Sequence, residues 1–150
     1  MGLRAEMAAI AEAPDQFPVE VDTLVIGAGA AGMIAALAAN DAGESVLVLE
    51  RGKTPSGSTA LSAGLIPAAG TRFQTAHGIT DDAEIFAADI QRKANNENDR
   101  EFVNLLANQA AQTVEWLADR HGLPFSLVDD FEYPGHSRRR MHGLPTRSGQ

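Results

Sequence analysis

Val21-Asp22-Thr23-Leu24-Val25-Ile26-Gly27-Ala28-Gly29-Ala30-Ala31-Gly32 is the stretch that decides the fold. Val21 to Ile26 is a short β-branched and aliphatic run, the kind of strand that parallel sheets bury on both faces. It runs straight into Gly27, and Ala30 to Asp41 (AAGMIAALAAND) is dominated by strong helix formers with Gly43 as a helix stop. Ser45 to Glu50 (SVLVLE) then reads as a second buried strand. Strand, helix and parallel strand in so short a span make a right-handed βαβ unit. Between its first strand and its helix, Gly27, Gly29 and Gly32 spell GxGxxG, the dinucleotide fingerprint, which is weak alone and strong in this context.

Each part of the fingerprint has a physical task. Gly27 permits the tight turn, Gly29 lets main chain approach a diphosphate, and Gly32 lets helix and strand pack closely. Amide groups around Ala30 and Ala31, with the positive end of the helix, stabilise phosphate charge. Glu50, ending the second strand, is placed to accept hydrogen bonds from a ribose, and its charge disfavours a 2′-phosphate. The fingerprint alone does not separate a flavin from a nicotinamide dinucleotide.

The wider chain sets the class. It has 150 residues, 44% hydrophobic and 21% charged, the balance of an ordinary globular domain. The first twenty residues read as a flexible, frayed amphipathic lead-in ending at Pro14 and Pro18, not as a secretory signal. No apolar run is long enough for a membrane span. With no cysteine, thiol catalysis, disulfides and zinc–thiolate sites in this chain are excluded, and a cytoplasmic location fits. A net charge of −8 argues against a nucleic-acid partner, and Arg138-Arg139-Arg140 reads as a solvated or ligand-facing loop. His136 and His142 lack a third ligand and helical zinc spacing.

From Gly52 to Gly70 the chain lacks any strong period, and a structureless stretch of that length is usually functional. Thr80 is the expected N-cap of a helix over Asp81 to Ala94, with Asp81, Asp82 and Glu84 in its first turn. Asn98 or Asp99 caps a longer helix to about Arg120, with Phe102, Leu106, Ala110, Val114 and Leu117 at helical spacing and Gly122 at its end. Trp116 reads as core packing on its flank. Leu127 to Gln150 reads as loop with one short strand, and no linker or repeat divides the chain.

Glu50-Arg51 followed by Ser56-Gly57-Ser58-Thr59-Ala60-Leu61-Ser62-Ala63-Gly64-Leu65 and Ala68-Ala69-Gly70-Thr71 resembles the flavin-contact segment of the fumarate reductase and succinate dehydrogenase flavoprotein family. Ketosteroid dehydrogenases and urocanate reductases belong to the same family. Ser56 stands where the family's first glycine of a pair is usual. The resemblance continues through Gly135, Ser137, Arg140 and His142, which match a Gly-x-Ser-x-x-Arg-x-His element near the family's active-site mouth. It covers residues 20 to 150.

The resemblance implies an FAD site formed by Gly27, Gly29, Ala30, Ala31, Gly32, Glu50, Arg51, Gly57, Ser58, Thr59, Leu61, Ala63, Gly64 and Leu65. Ser58 and Thr59 would bond the diphosphate or ribityl chain, and Ala63 and Gly64 would lie flat against the flavin ring. No histidine falls between Arg51 and Ala76, where covalent members carry one, so the FAD would be non-covalent; His77, just beyond, is expected to face solvent. The implied fold is a Rossmann-like α/β unit with parallel strands, then helices and a loop-rich tail. Residues 21–150 would be the N-terminal portion of an FAD-binding domain, completed by the remainder of the flavoprotein or by a partner subunit. The implied chemistry is hydride transfer between flavin N5 and an activated carbon–carbon bond of a small carboxylate or enone. Arg140 is a candidate to draw an anionic substrate inward. A nicotinamide-dependent dehydrogenase and a non-catalytic nucleotide-binding chain are the rival readings.

Overall fold

The computed structural model describes Glu12 and residues 14–149. Most of the expected lead-in lies outside the described residues; 14–20 are exposed and form neither helix nor strand. The chain divides into two compact units, one ending at Arg51 and the other beginning at Gly52.

The first unit is the βαβ unit. Strands β1 (Thr23–Ile26) and β2 (Val46–Leu49) pair in parallel, Thr23 opposite Val46 through Ile26 opposite Leu49. Helix α1 (Ala30–Asp41) connects them and packs on both. A polar clasp fixes the register at the open end. Ser45 donates to the Asp22 carboxylate from its amide (2.8 Å) and hydroxyl (2.7 Å), while the Asp22 amide donates to Ser45 Oγ at 3.0 Å. Those bonds hold the Asp22 carboxyl below its usual pKa. The strands are not buried on both faces as expected. Leu24 and Ile26 are 51% and 83% exposed, because alternate side chains of a two-stranded sheet face away from its single helix.

The second unit pairs two helices over a small antiparallel sheet. Stretch 52–70, expected to be irregular, holds the short helix α2 (Ser58–Leu61) and the two-residue strand β3 (Ile66–Pro67). Helix α3 (Arg72–Ala76) follows, opened by a reciprocal capping box: Thr71 Oγ1 accepts from Gln74 N, and Gln74 Oε1 accepts from Thr71 N. Helix α4 (Ala83–Lys93) is capped by Asp82, whose carboxylate accepts from Ile85 N at 2.8 Å. Thr80 is therefore not the cap, and of the three acids expected in the first turn only Glu84 lies there. Asp81 is withdrawn into the interior, where it pairs with Arg140.

Helix α5 (Arg100–His121) starts at Asp99, which accepts from Glu101 N and Phe102 N, and stops at Gly122 in the left-handed conformation (φ +66°). Its core face differs from the expected one by a residue at the N-terminal end. Val103 and Ala107 are buried with Val114 and Leu117, whereas Phe102 and Leu106 are 65% and 41% exposed. Small residues decide that register: Ala107 meets Phe86 and Ala69, with Ala83, Ala87, Ile90 and Ala110 around them, so the helices approach closely. Trp116 is half-buried, edge-on to His121. Asp99→Ala is expected to lower stability by about 1 kcal/mol, since two first-turn amides lose their acceptor; thermal unfolding followed by circular dichroism measures it.

Two further strands, β4 (Ser126–Leu127) and β5 (Met141–Gly143), stand where one was expected. The sheet order is β3-β5-β4, all antiparallel, with His142 opposite both Ile66 and Leu127. Pro67, which has no amide proton, sits on an edge strand where no ladder bond is lost. Among the described residues no helix is long and apolar enough to cross a membrane.

Candidate functional site

The glycine turn has the form its sequence requires. Gly27 adopts φ +101°, a region L-residues avoid, and its amide donates to Leu49 O at 2.7 Å. Gly29 is the N-cap of α1 and offers no capping side chain, and no acidic residue occupies the first turn. A Cβ at Gly32 would collide with the Gly27 carbonyl oxygen and come within 3.1 Å of Val25 Cγ1. The third glycine is thus dictated by contact between helix, turn and strand. Glu50 reaches back to the same turn, accepting from Ala28 N at 3.0 Å. Glu50 and the glycine turn are therefore locked together. A carboxylate has about four acceptor positions, so this bond leaves capacity for ribose hydroxyls. Backbone amides at a helix N-terminus, a side-chain-free approach and an acceptor one strand away fit the diphosphate and ribose of a dinucleotide.

Gly27, Gly29, Ala30, Ala31, Gly32, Glu50 and Arg51 belong to the first unit; Gly57, Ser58, Thr59, Leu61, Ala63, Gly64 and Leu65 belong to the second. In the second unit Gly57 is the N-cap of α2, Ser58 and Leu61 are exposed, and Thr59 is half-buried. Ser62 Oγ donates to Thr59 O at 2.7 Å and accepts from Gly64 N at 3.1 Å, which turns the chain sharply after α2. Gly64, at φ +63°, would place a Cβ 2.5 Å from Ser148 O. Gly149 N donates to Ser62 O at 3.1 Å. The small residues at 63 and 64 were expected to accommodate a flavin ring. Gly64 is already required by the chain's own Ser148–Gly149 segment.

A charged centre lies buried beneath this segment's unit. Arg140, expected in a solvated or ligand-facing loop, is fully buried and stacks over the Phe86 ring at 4.9 Å. Its Nε and Nη2 donate to Asp81 at 2.8 and 2.9 Å, and Nη1 donates to Asp89 at 2.5 Å. Asp89 also accepts from Ser137 N and Oγ at 2.7 Å each and pairs with Arg92 at 2.7 Å. Gln74 Nε2 bridges Asp81 and the Arg139 carbonyl. Burial opposes ionisation of Asp89, but the bonds from Arg140, Ser137 and Arg92 outweigh it and hold the carboxyl far below the usual range. Arg140 therefore cannot draw a substrate inward; it ties β5 to α4. Arg138 donates to Thr80 O and Ser137 O, and Arg139 pairs with Glu132.

His142 extends the same network. Its Nδ1 faces the Arg140 carbonyl at 3.0 Å, which only accepts, so Nδ1 carries the proton. Nε2 then accepts from the Thr71 hydroxyl at 2.8 Å. Burial lowers its pKa, against the carbonyls of Arg140 and Ile66, which raise it. The folded state thus resists a proton that the unfolded chain takes up near pH 6.5. Stability is expected to be full above that pH and to fall as pH drops from 7.5 towards 5.5. Melting temperatures across that window test this, and His142→Gln should flatten the slope. His77, by contrast, is exposed as expected.

Sequence reasoning missed a cavity of about 580 Å³ in the second unit, lined by Ser62, Ala63, Leu65, Pro67, Phe131, Tyr133, His136 and Met141. Its walls come from segments nearly seventy positions apart, which no local period connects.

Comparisons with known proteins agree with this geometry. The model of the FAD binding domain family matches residues 22–149. A probable fumarate reductase of Shewanella frigidimarina is 38% identical over 139 residues, 90% of this chain and 22% of its own length. Among solved structures, the open conformation of a flavocytochrome c3 fumarate reductase is similar with a TM-score of 0.72 and 35% identity, over 84% of this chain and 23% of that one. A 3-ketosteroid-Δ4-(5α)-dehydrogenase from Rhodococcus jostii, in complex with 4-androstene-3,17-dione, gives 0.66 and 34%, over 75% and 23%. The chain spans less than a quarter of the length of these relatives. It belongs to the FAD-binding domain family of fumarate reductase-like flavoproteins.

Proposed function

We propose that this chain is the FAD-binding portion of an oxidoreductase that moves hydride between the flavin and an activated carbon–carbon bond of a small carboxylate or enone. The observation that carries the reading is the Gly27–Gly32 turn with Glu50 bonded to its centre at Ala28 N. Gly27, Gly29, Ala30, Ala31 and Gly32 would hold the diphosphate, and Glu50 with Arg51 the adenosine side. Gly57, Ser58, Thr59, Leu61, Ala63, Gly64 and Leu65 would serve the ribityl and ring end. Bound FAD supplies the two-electron chemistry; the protein supplies orientation, electrostatics and exclusion of water.

Residues 21–150 are read as the N-terminal portion of the FAD-binding domain. The uncovered faces of β1 and β2, with Leu24, Ile26 and Leu49 about half-exposed or more, support completion of that sheet by further polypeptide, in the same flavoprotein or in a partner subunit. A cytoplasmic site of action suits a chain with no cysteine. The purified protein should be yellow, with absorbance near ~450 nm, and heat or acid should release the FAD, since the segment between Arg51 and Ala76 has no histidine to tether it. A colourless protein that takes up NAD in place of FAD would reject the proposal.

A further inference from the structure

Main chain meets main chain where the tail of the second unit returns to the turn after α2. Gly149 N donates to Ser62 O at 3.1 Å, and a Cβ at Gly64 would stand 2.5 Å from Ser148 O. The fit is tight from the tail's side as well. A Cβ at Gly149 would overlap the Thr59 carbonyl oxygen and lie 2.7 Å from Ser62 Oγ. That hydroxyl fixes the turn, donating to Thr59 O and accepting from Gly64 N. Residues 148 and 149 thus brace one side of the 62–64 turn and leave no room there for a side chain at either glycine.

The brace depends on how the chain reaches it. Strand β5 ends at Gly143, and the next residues turn back, with Arg147 N donating to Leu144 O at 2.9 Å. Arg147 adopts φ +46°, in the left-handed region. The other non-glycine residues found there among the described residues are Asn95 and Asn96, and asparagine enters that region far more readily than arginine. An arginine stays in a conformation its backbone disfavours only when its surroundings hold it. Packing does not hold it, because the side chains of Arg147 and Asp130 are each half-exposed or more. The ion pair does: Arg147 Nη2 donates to Asp130 Oδ1 at 2.8 Å, tying the turn to the segment after β4. The same bond keeps the Asp130 carboxyl below its usual pKa.

We infer that Arg147 is a positioning residue for the flavin site: its pair with Asp130 holds the left-handed turn that presses Ser148 and Gly149 onto one side of the 62–64 turn, leaving the opposite side of Ala63 and Gly64 for the flavin ring. The fastening of the tail rests on the contacts above, and its consequence for the flavin rests on the proposed FAD-binding reading.

The test has two readouts on the full chain: FAD affinity by equilibrium dialysis, and hydrogen exchange at the Gly149 amide by NMR without FAD. Asp130→Asn removes the pair and keeps the strain; it should weaken FAD about threefold and speed Gly149 exchange by a similar factor. Arg147→Val puts a β-branched residue in the left-handed region and loses the pair as well, and should weaken FAD about tenfold. Arg147→Gly also loses the pair but adopts the turn without strain, and should stay within about twofold of wild type in both readouts. Gly149→Ala breaks the brace with the pair intact and should weaken FAD about tenfold. Asp119→Asn removes a comparably exposed pair, to Arg72 at 2.7 Å, and should change neither readout. Thermal unfolding verifies that each variant is folded. Equal Gly149 exchange in wild type and Asp130→Asn, or FAD affinity indifferent to Gly149→Ala and Arg147→Val, overturns the inference. So does an Arg147→Gly protein as weak as Arg147→Val, since the pair would then not serve to hold the turn. Faster Gly149 exchange in Asp130→Asn, with a wild type that takes up no FAD, supports the fastening and sinks the flavoprotein reading instead.

Discussion

Gly32→Ala should cut FAD affinity by about 10- to 100-fold. The added Cβ would overlap the Gly27 carbonyl oxygen and press on Val25 Cγ1 at 3.1 Å. Neither atom lies at the end of a flexible side chain that could swing away: one is main chain, the other is on a β-branched strand residue. Relief must come from moving α1 off β1, and overpacking of this kind costs about 1–3 kcal/mol. That displacement also moves the amides at the head of α1 away from the Glu50-bonded turn, so the strain falls on the proposed phosphate site. Gly27→Ala makes an instructive contrast. It has nothing within 4 Å of a new Cβ and is penalised only through φ +101°, which should cost about 1–2 kcal/mol without displacing the helix. Equilibrium dialysis against FAD measures both. A Gly32→Ala protein with wild-type affinity would show that the turn does not grip the diphosphate.

The difference between these glycines shows how much the sequence disclosed. The βαβ unit was legible because its signals are local: an aliphatic run, three glycines, an alanine-rich helix and an acid at the next strand's end. The ends of α5 were legible for the same reason, since Asp99 and Gly122 act on amides and carbonyls within a turn. Its core face was misread at Phe102 and Leu106 because periodicity favours the larger apolar residue. Packing against Phe86 and Ala69 instead favoured the small Ala107. The α4 cap moved from Thr80 to Asp82 because Asp81 was required by Arg140, a partner 59 positions away. Three consecutive arginines at 138–140 looked alike in sequence, yet only the third is buried, and no local pattern distinguishes it. The same holds for the cavity, whose walls from 62–67 and 131–141 meet only through the β3–β5 pairing. Local rules reveal elements and caps; long-range charge pairing and the sheet that closes a cavity appear only in the folded chain.

Arg140→Met is expected to destabilise the second unit by about 3–5 kcal/mol, a large share of the 5–15 kcal/mol typical of a whole domain. Methionine can occupy the space and still lie against Phe86, so lost volume is not the main cause. The cause is what remains: Asp81 and Asp89, both buried, without the guanidinium that makes three hydrogen bonds to them. This separates the charge account from a packing account through pH. In the wild type the Asp89 carboxyl titrates far below its unfolded value near 3.8, so its contribution is complete at neutral pH and is lost only as pH falls through that depressed value. Without Arg140, burial of Asp89 is opposed only by Ser137 and Arg92, so the carboxyl's pKa rises towards the unfolded value. Protonation then relieves the variant in the acid range where the wild type still holds its ion pairs. The gap in denaturant midpoint between the two proteins should therefore be widest at pH 7 and narrow by pH 3. Adding Asp81→Asn and Asp89→Asn to Arg140→Met should recover part of the loss at pH 7 by removing the stranded charges. A gap that is small at pH 7, or that does not change with pH, would mean that Arg140 acts as a space-filler and that the ion pairs do not tie β5 to α4.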